Sequence, residues 1–151
     1  MNTNINMEKL QEDAEKVFNS GFACSESVIY TVRKHMELDM SDDAIAMSSG
    51  FPWGLGGGGC LCGALAGGAM CIGFLYGRTK PGDPKNQRCF ELTEELHDRF
   101  KEYCKATCCC VLIKGYEKQA PERKAKCTEY VKFTVKTVVE ILTREIEKDR
   151  Q

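Results

Sequence analysis

Apolar residues recur at helical spacing along most of this chain. Met7, Leu10, Ala14, Val17 and Phe18 form a stripe that breaks at NSG, where Gly21 is a natural helix stop. The pattern predicts a second helix from about Cys24 to Glu37 and a short third one behind the N-cap candidate Ser41. SSGFPWGLGGGG interrupts the periodicity, and a helix from about Cys62 to Tyr76 follows. In KPGDP, Asp83 and Pro84 suit the N-cap and first position of a helix that carries Cys89, Leu92, Leu96, Phe100 and Tyr103 on one face. Pro121 opens the last helix, whose stripe is Cys127, Tyr130, Val131, Thr134, Val138 and Ile141. There is no strand pattern, internal repeat or low-complexity linker. The expected fold is therefore all-α: one domain over residues 1–151, a bundle of about five or six helices.

The helix opening at Cys62 differs from the others because it is apolar all round, with Gly63, Ala66 and Gly67 supplying very little side chain. Such a helix belongs at the centre of a bundle, where small residues let neighbouring backbones come close. From Leu55 to Gly77 the chain carries no charge, about the length a bilayer requires. Its glycine content, and the poor helix its first residues would make, favour a buried helix over membrane insertion.

Composition narrows the function. A net charge of −1 on 151 residues gives no electrostatic case for binding nucleic acid or an anionic membrane. The start, MNTNINMEKLQEDAEK, does not resemble a targeting peptide, so a cytoplasmic location is expected. Ten cysteines against two histidines, His35 and His97, read in a reducing compartment as metal or redox groups held mainly by sulfur. That favours iron-sulfur clusters, zinc or copper(I). No CxxC occurs, so the zinc ribbon, the thioredoxin pair and the bacterial ferredoxin run are absent. Cysteines that act together must be gathered from separate helices.

GLGGGG formally fits GxGxxG over Gly54 to Gly59, but Pro52 and Trp53 precede it where a dinucleotide fold needs a strand. The four glycines Gly56 to Gly59 stand beside Cys60 and Cys62. Glycines at such a place can turn amides inward as an anion-binding nest, and the helix start adds positive potential for a thiolate or a thiolate-bound cluster. Gly58 and Gly59 are the expected cradle, and a flexible loop is the plainer alternative. Cys71, nine residues beyond Cys62, falls on the opposite helix face and reads as a small buried hydrophobe, as does Cys89 in its stripe. Cys104 and Cys108 are one turn apart and would share a face if the helix continued between them. Acidic residues such as Glu94, Glu95 and Asp98 fall at ordinary solvated positions, and His97 reads as a surface or hydrogen-bonded histidine.

GFACSESV with Cys24, CGALAGG with Cys62, ATCCCVLIKG with its cysteine run, and Cys127 in the last helix together resemble the redox-active family named for its C_GCAxxG_C_C signature. The resemblance spans about residues 8 to 145. It implies an all-helical domain with four characteristic cysteines, similar to the non-haem part of split-Soret cytochromes, where such a domain carries an iron-sulfur cluster. Residue by residue, the four positions are Cys24, Cys62, Cys127 and Cys109. Cys60, Cys108 and Cys110 are additions beside the family pattern and possible extra ligands. The expected function is a redox protein that binds an iron-sulfur cluster, readily lost in air, and passes electrons to a partner or senses redox state. The alternatives are a thiol-disulfide oxidoreductase in which Cys62 attacks, and a zinc or copper protein. The long last helix and the glycine-faced helix also offer surfaces on which a homodimer could pack.

Overall fold

The computed structural model describes residues 1–151. It contains α1 (Met7–Asn19), α2 (Cys24–Met36), α3 (Asp42–Ser48), α4 (Pro52–Leu55), α5 (Gly63–Tyr76), α6 (Lys85–Cys104), α7 (Cys109–Leu112) and α8 (Pro121–Asp149), and no strand. The fold is all-α, as the periodicity predicts. The count is slightly above five or six because α4 and α7 are single turns that the apolar pattern does not mark. The Asn6 side chain caps α1 by accepting the Lys9 amide at 3.0 Å. Just before α6 the Asp83 side chain accepts the Lys85 amide at 2.9 Å, and the helix starts at Lys85 with Pro84 as its N-cap, one residue later than expected. At its other end α6 stops at Cys104, where Lys105 turns left-handed at φ 72°. The helix does not continue to Cys108, so Cys104 and Cys108 do not share a face.

Buried residues of α1, α2, α5, α6 and α8 meet in one core, with Leu10, Ile29, Ile72, Leu96, Phe100 and Ile141 among its fully enclosed members. Two helices share its centre: α5 packs on α2, α6 and α8, and α8 on α1, α2, α5 and α6. The first half of α5, Gly63 to Gly68, is entirely buried, whereas Phe74 in its last turn is exposed. No helix is long and apolar enough to cross a membrane.

Glycine decides how closely α5 meets its neighbours. A Cβ on Gly67 would lie 2.7 Å from the Ser25 carbonyl oxygen of α2, and one on Gly68 would lie 2.9 Å from methyl groups of Leu96, Thr134 and Val138. The Gly67 gap, bounded by backbone, cannot take even a methyl group, and at Gly68 one would require the neighbouring side chains to shift. Far along α8, a cluster of charges ties α6 to α8: Glu145 accepts from Arg88 at 2.7 Å and from Arg144 and Lys148 at 2.8 Å. Burial opposes its charge, yet these bonds hold the Glu145 carboxyl down at about 2. The cluster lies about 27 Å along the helix from Cys127, which leaves the other end of the bundle to the thiols.

Thermal unfolding tests this account of α5. Gly67→Val should destabilise by about 3 kcal/mol or more, through overpacking against the α2 backbone. Gly73→Ala, where an added Cβ meets nothing, should stabilise by roughly 0.5–1 kcal/mol.

Candidate functional site

One end of the bundle gathers thiols from four separate segments. Cys24 is the first residue of α2, Cys62 immediately precedes α5, Cys109 begins α7, and Cys127 lies in the second turn of α8. All four line a single cavity of about 220 Å³, walled otherwise mainly by apolar side chains. The sequence spreads these cysteines over 104 positions, so only the crossing of the helices joins them.

Two local features bring them in. The first is Gly63, the residue after Cys62: a Cβ there would collide with the Cys24 sulfur. Gly63 and Gly67 lie one turn apart on α5 and both face the start of α2, so this bare strip seats Cys24 beside Cys62. The second is a short antiparallel pairing. Leu61 and Cys108 form an isolated bridge, the Cys62 amide donates to the Thr107 carbonyl at 2.7 Å, and the Cys109 amide donates to the Cys60 carbonyl at 2.8 Å. This pairing fixes Cys109 next to Cys62, while Cys60, Cys108 and Cys110 stay exposed and do not line the cavity.

The tetraglycine serves a different end from the one expected. The Gly58 amide donates to the Leu55 carbonyl at 3.3 Å and the Gly59 amide to the Trp53 carbonyl at 3.1 Å, so both are bonded inside the loop, and neither residue lines the cavity. Gly56, Gly57 and Gly59 take positive φ, but Gly58 does not. These conformations fold the loop back until Gly54 lies against the backbone at Gly59 and Cys60, where no Cβ could fit. The glycines make a tight reversal that delivers Cys60 to Cys62 to the pairing with residues 107–110. Trp53 and Leu55 hold left-handed conformations without being glycine, at φ 61° and 60°, which is strain concentrated beside the cavity.

Helix starts favour thiolates, but burial dominates here. Desolvation, followed by the neighbouring thiols Cys62 and Cys127, pushes the Cys24 thiol up to about 12. Desolvation likewise pushes Cys62 up to about 11, although the nearby amides of Leu65 and Ala64 oppose the rise. Burial and then Cys127 and Cys110 raise Cys109, against the pull of Arg123. Burial therefore works against the depressed thiol that a Cys62 nucleophile would need.

The remaining candidates fall elsewhere. Cys71 is completely buried and pushed up to about 12 by desolvation, and Cys89 is half-buried against the core. Cys104 is also raised to about 12, first by burial and then by Cys62 nearby, but does not line the cavity. His35 pairs with Asp13 and His97 with Asp98, each at 2.9 Å, and neither lines the cavity. Sequence reasoning gave Gly63 only a packing role, and gave Trp53 and Arg123 no part in the site. The position of Arg123, four residues before Cys127 on a helix, was the legible signal for it.

No three cysteine, histidine or carboxylate groups are drawn together tightly enough to hold a single ion.

The family model described as "Putative redox-active protein (C_GCAxxG_C_C)" matches residues 22–141, a span that includes all four cavity cysteines. No curated protein and no solved structure matches the chain.

Burial orders the reactivity of the thiols. In the reduced, metal-free chain near neutral pH, iodoacetamide followed by peptide mass spectrometry should label Cys60, Cys108 and Cys110 first and leave Cys24, Cys62 and Cys71 protected. The folded-state values of Cys24, Cys62 and Cys71 lie above the ordinary 9.0, so the folded chain holds these protons more tightly than the unfolded one. Stability is then fully present below about pH 9 and should fall as pH rises through 11 to 12, which alkaline unfolding followed by circular dichroism would read.

Proposed function

The chain belongs to the C_GCAxxG_C_C family of redox-active proteins, and on that premise we propose that Cys24, Cys62, Cys109 and Cys127 hold an iron-sulfur cluster used in electron transfer or redox sensing. The observation that carries this reading is their convergence on one cavity. When bound, such a cluster supplies one-electron chemistry at a potential set by its surroundings.

The residues fit the group in number and chemistry. Four thiols match the usual ligand count for [2Fe-2S] and [4Fe-4S] centres. The wall is mainly apolar, and Arg123 and Lys124 are the charged side chains that line it. Loading must remove protons that burial holds on the sulfurs, so uptake should release acid and weaken as pH falls. With four thiols engaged no position is left for a substrate, which favours a carrier or sensor over an enzyme. The cytoplasm suits such a site, because its thiols remain reduced there. The thiol-disulfide reading is weaker, since Cys62 is pushed up to about 11.

Iron and acid-labile sulfide analysis after anaerobic preparation tests the proposal. Wild type should be coloured and carry both elements, whereas serine at Cys24, Cys62, Cys109 or Cys127 should remove most of them. Cys71→Ala and Cys89→Ala should change stability by on the order of 1 kcal/mol and keep the cluster. Gly63→Ala, which pushes a methyl group into the Cys24 sulfur, should lose the cluster while remaining helical. A colourless, iron-free chain after anaerobic reconstitution would refute the proposal.

A further inference from the structure

Two cations line the thiol cavity, and they are engaged differently. Lys124 donates to the Phe18 carbonyl at 3.1 Å and sits 3.3 Å over the Phe18 ring, and it makes no hydrogen bond to a sulfur. Arg123 points a donor at a thiol: its Nη1 lies 3.6 Å from the Cys127 sulfur. Three features hold it there. The i, i+4 spacing on α8 puts both residues on one face, Nε donates to the Lys118 carbonyl at 2.9 Å, and the guanidinium lies 4.6 Å over the Trp53 ring. Lys118 stands over the same ring at 4.7 Å. No carboxylate lines the cavity to neutralise this charge.

We infer that Arg123 sets the reduction potential of the centre held at Cys24, Cys62, Cys109 and Cys127, by donating a charge-assisted hydrogen bond to the Cys127 sulfur. The inference rests on the cluster reading above. One electron entering a thiolate-bound centre adds one negative charge, with no bond made or broken in the protein. A fixed cation at the wall stabilises that extra charge more than it stabilises the oxidised state, and the low dielectric of an apolar cavity strengthens the effect. Hydrogen bonds to ligand sulfur act in the same direction. Arg123 therefore raises the potential, while the Trp53 ring and the Lys118 carbonyl position its fork.

The test uses the full chain, reconstituted anaerobically, as wild type, R123Q and R123K. Iron and sulfide are counted first. The midpoint potential is then measured by dithionite titration with redox dyes, followed by visible absorbance. R123Q should load fully and titrate at a more negative potential, by at least tenfold in the one-electron equilibrium constant, or about 59 mV. R123K keeps the charge but not the planar fork and should fall between. In the metal-free chain R123Q should also alter the fluorescence of Trp53, the single tryptophan. Full loading with a wild-type potential in both variants overturns the inference, as does unaltered Trp53 emission. Loading lost in R123Q but kept in wild type also overturns it, giving Arg123 a part in assembly instead. A wild-type chain that takes up no iron overturns the cluster reading, and this inference with it.

Discussion

The close crossing of α5 over the start of α2 is the constraint on which the rest of the molecule depends. Gly63 and Gly67 present a strip of α5 without side chains, and the Cys24 sulfur and the Ser25 backbone fill the space where two Cβ atoms would stand. Glycine within a helix costs about 0.5–1 kcal/mol each relative to alanine, so this contact lowers the intrinsic stability of α5. Tertiary packing offsets that cost, because the first half of α5 is wholly buried among α2, α6 and α8. One approach thus seals the core and also sets Cys24 beside Cys62.

A second approach completes the site from the far side. The glycine turn after α4 reverses the chain so that residues 59–62 run against residues 107–110, and backbone hydrogen bonds fix Cys109 in place. The pairing sorts the cysteines by depth. Cys62 and Cys109 line the cavity, whereas Cys60, Cys108 and Cys110 remain at the surface. The same conformations account for the strained backbone at Trp53 and Leu55, and Trp53 in turn supplies the surface on which Arg123 rests.

Electrostatically the site is a contest that burial wins. Helix starts and nearby amides favour negative sulfur, but removal from water, reinforced by neighbouring thiols, pushes Cys24 and Cys62 the other way. A centre arranged this way is poorly suited to nucleophilic attack at neutral pH.

Helical periodicity in the sequence determined the number and approximate limits of the long helices, because each apolar stripe has to face a core whatever its partner. Cysteine count, the lack of CxxC and the pattern around Cys24, Cys62, Cys109 and Cys127 already pointed to dispersed thiols. The tertiary structure alone decided how those residues meet. The glycine that matters most beside the thiols is Gly63, because its missing Cβ faces another segment, and a one-dimensional pattern carries no record of what lies opposite a residue. Gly58 and Gly59 looked like a cradle in the sequence, yet their amides are bonded within their own loop. Thiol acidity was likewise beyond the sequence: helix starts can be read from it, but the depth of burial that overrides them is a property of the assembled bundle.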